Sequence, residues 1–257
     1  MIDAHIHIEK GSYMLDWINE FVSTAVHNQI EEIRLLEHCY LFPEFLPMYE
    51  EICKNNGYIE AWLGRKGGKR NFDEFLNLAQ TVRNTAFPIR IEFGLEVCYF
   101  PDAEELVRSV TKGRELDFLV GSVRFIDGFP FDHRADFWEG ADVDRLYRKY
   151  FESSIRLAES GLFDGIAHPD CIKLFGHTPS FSLSPYYSRL ADALHKNSMY
   201  AEMNSGSARR TGAPLGMSLE MINVMKRYGV AIKTASDAHR PEETGAGIYE
   251  MTRMLLK

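Results

Sequence analysis

Asp3, His5, His7 and Glu9 alternate with Ala4, Ile6 and Ile8 at the start of the chain. Side chains of a β-strand point alternately to its two faces, so a strand here would gather the acids and imidazoles on one face and the aliphatics on the other. The pattern recurs further on. Ile89, Ile91, Phe93, Leu95 and Val97 form one apolar face, leaving Arg90, Glu92 and Glu96 on the opposite one. Other strand-like runs end at His38 and at His168, and the last runs into Ser236-Asp237-Ala238-His239. Imidazoles and carboxylates gathered in a protein interior without partners are costly. Divalent ions remove that cost, and mixed N/O ligands without thiolates suit Zn²⁺, Mn²⁺ or Fe²⁺. The set is larger than one tetrahedral ion needs, so a cluster of at least two ions is expected, with Glu96 able to bridge. Such ions acidify a bound water, polarise a phosphoryl or carbonyl oxygen and stabilise a leaving oxygen, so the expected reaction class is metal-assisted hydrolysis.

These residues can meet only if the chain brings five distant segments to one place. Hydrophobic periodicity predicts strands near 2–8, 32–38, 88–97, 117–124, 163–168, 198–204 and 230–236, alternating with helical stretches, the pattern of parallel strands joined by crossovers. Met14, Trp17, Ile18, Phe21, Val22 and Ala25 recur at helical spacing, as do Val143, Leu146, Tyr147, Tyr150, Phe151 and Ile155; each stripe can cover a sheet. The ligand-type residues all fall at the same end of their strands. In a parallel barrel those ends form one mouth.

A length of 257 residues fits one α/β barrel, and no repeat, linker or low-complexity tract divides the chain, which is read as a single domain spanning 1–257. With 29 Lys+Arg against 37 Asp+Glu the formal charge is −8, which argues against non-specific binding to nucleic acid. No signal-like stretch and no apolar run of membrane length is found, so a soluble cytoplasmic protein is expected. Cys39, Cys53, Cys98 and Cys171 form no C-x-x-C pair and are expected as reduced thiols, filler beside the ligands. The segment Gly64-Arg65-Lys66-Gly67-Gly68-Lys69-Arg70 is expected as a solvated surface loop.

In these segments the chain resembles the PHP (polymerase and histidinol phosphatase) family, within it the histidinol-phosphate phosphatases. The resemblance rests on Asp3-Ala4-His5-Ile6-His7-Ile8-Glu9, Leu36-Glu37-His38, Gly94-Leu95-Glu96-Val97, Val120-Gly121-Ser122-Val123, Ala167-His168-Pro169-Asp170, Glu202-Met203-Asn204-Ser205-Gly206 and Ser236-Asp237-Ala238-His239. It implies a distorted (β/α)7 barrel with a trinuclear centre that hydrolyses phosphate monoesters. Carried over by position, one ion would be held by His5, His7, Glu96 and Asp237, a second by Glu96 and His168, and a third by Glu9, His38 and His239. Glu9 stands where many relatives have His or Asp. Arg124 stands where relatives usually have a ligating histidine, and a guanidinium cannot ligate. Either the second site is weakened or empty, leaving two ions of three, or the cation itself meets substrate phosphate. The resemblance makes Arg209 a phosphate-gripping residue, though Arg210 next door could fill that place. His133 is a candidate for contacting the substrate or protonating the leaving alkoxide.

The substrate implied is L-histidinol phosphate, in histidine biosynthesis, with Glu202, Asp132 and Tyr13 as candidate partners of its imidazole and amine. The alternatives are a PHP phosphoesterase acting on nucleotides or other small phosphate esters, a weakly active metal-binding relative, and an amidohydrolase. The last also opens with H-x-H but closes on a lone aspartate, whereas here His239 follows Asp237 by two residues. No expectation for oligomeric state follows.

Overall fold

Residues 1–256 are described by the computed structural model. Ile2–His7 (β1), Glu32–His38 (β2), Arg90–Cys98 (β3), Phe118–Ser122 (β4), Gly165–Ile166 (β5), Tyr200–Asn204 (β6) and Ile232–Ala235 (β7) form one sheet in the order β1-β2-β3-β4-β5-β6-β7. Every neighbouring pair is parallel. Helices cover the outer side, and the sheet curls until β1 meets the chain leaving β7: His7 N–H donates to Ala238 O at 2.8 Å. The fold is the expected (β/α)7 barrel.

At the β1–β7 seam a side chain replaces part of the missing ladder. Asp3, fully buried, accepts the Ser236 N–H on Oδ1 and the Gly245 N–H on Oδ2, both at 2.8 Å. Buried backbone donors need acceptors, and at this seam one carboxylate supplies two.

Alternation sorts the rest. Ile6, Ile8, Ile33, Leu35, Phe93, Leu95 and Val97 face outward into the main core. There they pack under Ile18, Phe21, Val22 and Ala25 of the helix Leu15–His27 and under Phe75, Leu78 and Ala79 of the helix Phe72–Arg83. Each such side chain contributes about 1.5–3 kcal/mol on burial. A separate small cluster, Leu36, Phe118, Val120, Ala167 and Tyr200, fills the barrel interior. Gly94 is required beside it, because a Cβ there would lie 2.4 Å from Phe118 O. The base is closed by Arg34, which pairs with Glu92 at 2.7 Å and Glu32 at 3.1 Å.

Several expectations need correction. The fifth strand shrinks from 163–168 to Gly165–Ile166, and the fourth ends at Ser122, so Arg124 lies past the strand. Met14 is exposed and precedes its helix instead of joining the buried stripe. The segment 64–70 is not one solvated loop: Gly64, Arg65 and Lys66 finish the helix Gly57–Lys66. Arg70 turns inward to donate to the carbonyls of Glu9 and Gly11 and lies over the Tyr13 ring.

Candidate metal centre

At the C-terminal ends of the strands, β1 contributes His5 and His7, β2 His38 and β3 Glu96. The turns after β5 and β7 add His168, Asp237 and His239. The β2–β3 register sets His38 directly opposite Glu96. His5 Nε2 and His7 Nε2 are 3.0 Å apart. Glu96 Oε2 is 3.7 Å from the first and 3.5 Å from the second, and Asp237 Oδ1 is 3.7 and 3.6 Å from them. A tetrahedral ion with ligands at ~2.0–2.1 Å keeps those ligands about 3.3 Å from one another. His5, His7 and Glu96 therefore stand as three corners of one cage, with Asp237 Oδ1 reaching both imidazoles; these are the four residues of the first set expected from the sequence.

Glu96 divides its oxygens. Oε2 faces that cage and His38 Nδ1, 2.6 Å away, while Oε1 faces His168 Nε2 at 3.2 Å and Arg124 Nη1 at 3.5 Å. This is the posture of a bridging carboxylate. Arg124 is held there by Asp132, whose Oδ2 lies 3.0 Å from Nη2. On the other side the rings of His38 and His239 flank His7 at 4.0 and 4.4 Å between centroids, and His239 Nδ1 lies 2.8 Å from Glu9 Oε1. His7, His38 and His239 bring ligand atoms within 4.8 Å of one another, and so do His7, Glu9 and Glu37. Of the third expected set, His38 and His239 thus gather around His7 while Glu9 meets His239 alone. No cysteine enters these groups among the described residues.

The electrostatics are those of a site waiting for positive charge. His7 is pushed well below the ordinary imidazole pKa by burial and by the neighbouring imidazoles of His38, His239 and His5. Burial also opposes charge on His5, but Glu202 outweighs it and, helped by Glu96 and Asp237, holds His5 up at about 10. Burial opposes ionisation of Glu96 as well, yet His38, His168 and His5 keep it well below the usual carboxylate range. His7 Nδ1, Glu9 Oε2, Glu96 Oε2 and His168 Nδ1 are buried without a hydrogen-bond partner of acceptable geometry. Buried polar atoms are normally satisfied, so these orphans fit a bound cation.

Strain marks the same place. His168 and Asp237 have φ of 32° and 56°. A left-handed backbone on residues other than glycine costs of order 1–3 kcal/mol and persists where the surroundings impose it. Two contacts impose it at Asp237. Gly206 leaves room for the side chain, since a Cβ there would lie 2.2 Å from Asp237 Oδ2. Arg209 donates from Nη1 to Ser236 O and from Nη2 to Asp237 O, each at 2.7 Å. Arg209 thus uses part of its fork on the turn that presents Asp237, a task its expected phosphate grip did not include. Arg210 Nη2 donates to Asp132 O at 3.1 Å.

Beside His38 the rings continue outward. Tyr40 stacks on His38 at 4.8 Å, Trp62 packs on Tyr40 at 4.8 Å, and His133 packs on Trp62 at 5.0 Å with Phe125 behind. His133 is not an exposed loop residue. Its side chain is 7% exposed, its Nδ1 lies 3.3 Å from Tyr58 Oη, and burial lowers its pKa. Tyr13 donates its hydroxyl to Glu37, whose carboxylate is grouped with His7 and Glu9, so that hydroxyl is already spent. Glu202 is fully buried beneath His5. Asp132 lies by Arg124 with Oδ1 unpartnered. Sequence reasoning missed Asp3 as the seam and Tyr40 and Trp62 as a wall; β1 alternation put Asp3 on the inward face, while nothing local marked the two aromatics.

A sequence model of the PHP domain matches residues 3–206. A Deinococcus radiodurans protein named "Probable histidinol-phosphatase" is 30% identical over 250 residues, covering 95% of this chain and 88% of its own. The Bacillus subtilis histidinol-phosphatase is 26% identical over 267 residues and 95% of each chain. A crystal structure of histidinol phosphate phosphatase from Lactococcus lactis, complexed with zinc, L-histidinol and phosphate, has the same fold. Its TM-score is 0.65 at 17% identity, covering 99% of this chain and 92% of that one.

Proposed function

The chain belongs to the PHP domain family, and from that premise we propose that it is a metal-dependent phosphatase that hydrolyses L-histidinol phosphate to L-histidinol and phosphate. The observation that carries the chemistry is the cage of His5, His7, Glu96 and Asp237, in which the two imidazole nitrogens are 3.0 Å apart and each carboxylate lies 3.5–3.7 Å from both, with buried orphan atoms beside it. When bound, divalent ions supply an acidified water and an electrophilic grip on the phosphoryl oxygens.

The chain's own residues do the rest. Asp237 and His239 lie at the open side of the set, with side chains 16% and 30% exposed, where a phosphate group enters. Arg124, fixed between Glu96 and Asp132, holds a permanent positive charge at the mouth; the unspent donors of Arg209 add a second, and guanidinium forks match phosphoryl oxygens. His133, uncharged near neutrality because burial lowers its pKa, lines the pocket instead of supplying the proton for the departing alkoxide. The Tyr40–Trp62 wall offers a planar alcohol such as an imidazole a stacking face, and the free Asp132 oxygen offers its amine an acceptor.

The reading includes two tightly held ions, one in the cage and one among Glu9, His38 and His239, with Arg124 standing in for the charge of a third beside His168. No helix among the described residues is long and apolar enough to cross a membrane, and a role in histidine biosynthesis would be carried out in the cytoplasm. Steady-state kinetics with L-histidinol phosphate against a panel of nucleotide monophosphates test the substrate: a clear preference for the former is expected, and equal efficiencies overturn it. Elemental analysis of reconstituted protein tests the ion count, with two per chain expected and three for Arg124→His.

A further inference from the structure

We propose that Glu202 is a positioning residue that sets both halves of the metal centre at once, fixing the His5 ring so that Nε2 faces the ions and fixing the His168 backbone beside Glu96. The inference rests on the reading of this mouth as a divalent-ion site. Tyr200, Glu202 and Asn204 alternate along β6, and Glu202 has no exposed surface. Its Oε1 and Oε2 lie 2.9 and 3.1 Å from His5 Nδ1, and Oε2 also accepts the His168 N–H at 3.2 Å and Asn204 Nδ2 at 3.3 Å. No substrate reaches it.

An ionised carboxylate only accepts hydrogen bonds. His5 must therefore carry its proton on Nδ1 when neutral, which leaves the Nε2 lone pair for the cage shared with His7, Glu96 and Asp237. Partners of this kind fix tautomer and ring orientation in metal sites, and their loss typically costs 10–100-fold in metal affinity. Here the same carboxylate also accepts from the strained residue at φ 32°, whose ring reaches the other oxygen of Glu96. β6 provides none of the ligands proposed for either ion, yet it orients one side chain of the cage and the residue on the far side of the bridge.

Glu202→Gln separates these duties. An amide has one acceptor oxygen, and if that oxygen keeps the His168 and Asn204 donors, the amide nitrogen faces His5 Nδ1. The ring must then accept there and carry its proton on Nε2, pointing into the cage. Chelated wild-type and Glu202→Gln proteins are titrated with Zn²⁺ against a chromophoric chelator, and the ligating and protonated nitrogens of His5 in the zinc-loaded proteins are read from ¹⁵N–¹H correlations. The expected results are about 10–100-fold weaker binding in the variant, a His5 that carries its proton on Nδ1 and binds zinc through Nε2 in the wild type but not in the variant, and return of the wild-type pattern in Glu202→Asp.

Unchanged zinc affinity in folded Glu202→Gln overturns the proposal. So does a zinc-loaded wild-type His5 that carries no proton on Nδ1, a result that needs no variant to fold. Wild-type protein that binds no divalent ion removes the proposal together with the phosphatase reading. Protein that binds zinc through a Glu202-oriented His5 but leaves histidinol phosphate intact removes only the substrate.

Discussion

At the base of the barrel Arg34 meets Glu92 and Glu32, and its guanidinium lies 5.1 Å from the Phe118 ring and 5.3 Å from the Tyr200 ring. At the mouth His7 is pressed between the rings of His38 and His239, and the buried orphan atoms of His7, Glu9 and His168 surround it. Both ends place ionisable groups inside one barrel. The base answers each charge with another side chain, which closes it as structure. The mouth places like beside like and gathers its acids on the same few ångströms, an arrangement that becomes favourable when a cation arrives. Which end does chemistry is therefore told by where charges lack partners and not by where they are buried.

The sharpest way to break this contrast is Glu96→Gln, which removes the bridging charge without changing shape. Hydrolysis of histidinol phosphate is expected to fall at least ~10²-fold with loss of tightly held ions. Retained ions and activity would show that the mouth does not depend on its shared carboxylate. Next in size is the base. Arg34→Met is expected to cost about 2–3 kcal/mol, the low side for a buried pair because Glu32 keeps 21% of its side chain exposed. A denaturant midpoint measures it, and kcat should stay at the wild-type value; a fall in kcat in parallel would mean the two ends are not separable.

The chelated protein sharpens the comparison through pH. His7 and His38 are both held below the ordinary imidazole value of 6.5, by burial first. The unfolded chain takes up protons that these rings refuse, so their contribution is lost as pH falls below about 6.5. His5, held up at about 10, contributes stability fully below 6.5 and loses it as pH rises towards that value. Thermal melts of metal-free protein should therefore peak near neutrality, and added zinc should move the peak upward, because ligation needs neutral imidazoles. A melting temperature flat across this range would contradict the assigned environments. The smallest effect is expected for Tyr200→Phe, since the buried Tyr200 hydroxyl has no hydrogen-bond partner: a stabilisation of about 1 kcal/mol as that unsatisfied group is removed, measured by the same midpoint.

Much of this was legible in the sequence because strand alternation is local. The parity of Asp3 to Glu9 and of Ile89 to Val97 predicted which side chains line the interior, and the ligands converge as that parity requires. What was not legible depends on torsions and distant partners. The fifth strand was read too long because its last expected residue, His168, turns into the left-handed region to reach Glu96. Glu202 sat on the right face, but its partner His5 lies 197 residues away. Arg70 looked solvated by composition, yet the turn at Gly67 and Gly68 carries it to the loop that holds Glu9.

The seam at Asp3 has a consequence for the order of events as the chain is made. Its two N–H partners arrive 233 and 242 residues after it. A growing polypeptide emerging from the ribosome carries His5 and His7 long before it can shut the barrel, or seat Asp237 beside them, because the segment from Ser236 to Gly245 must be synthesised first. Completion of the cage is thereby made to wait for that segment, and a product cut short before Ser236 would keep His5, His7 and Glu96 without the Asp237 that joins them.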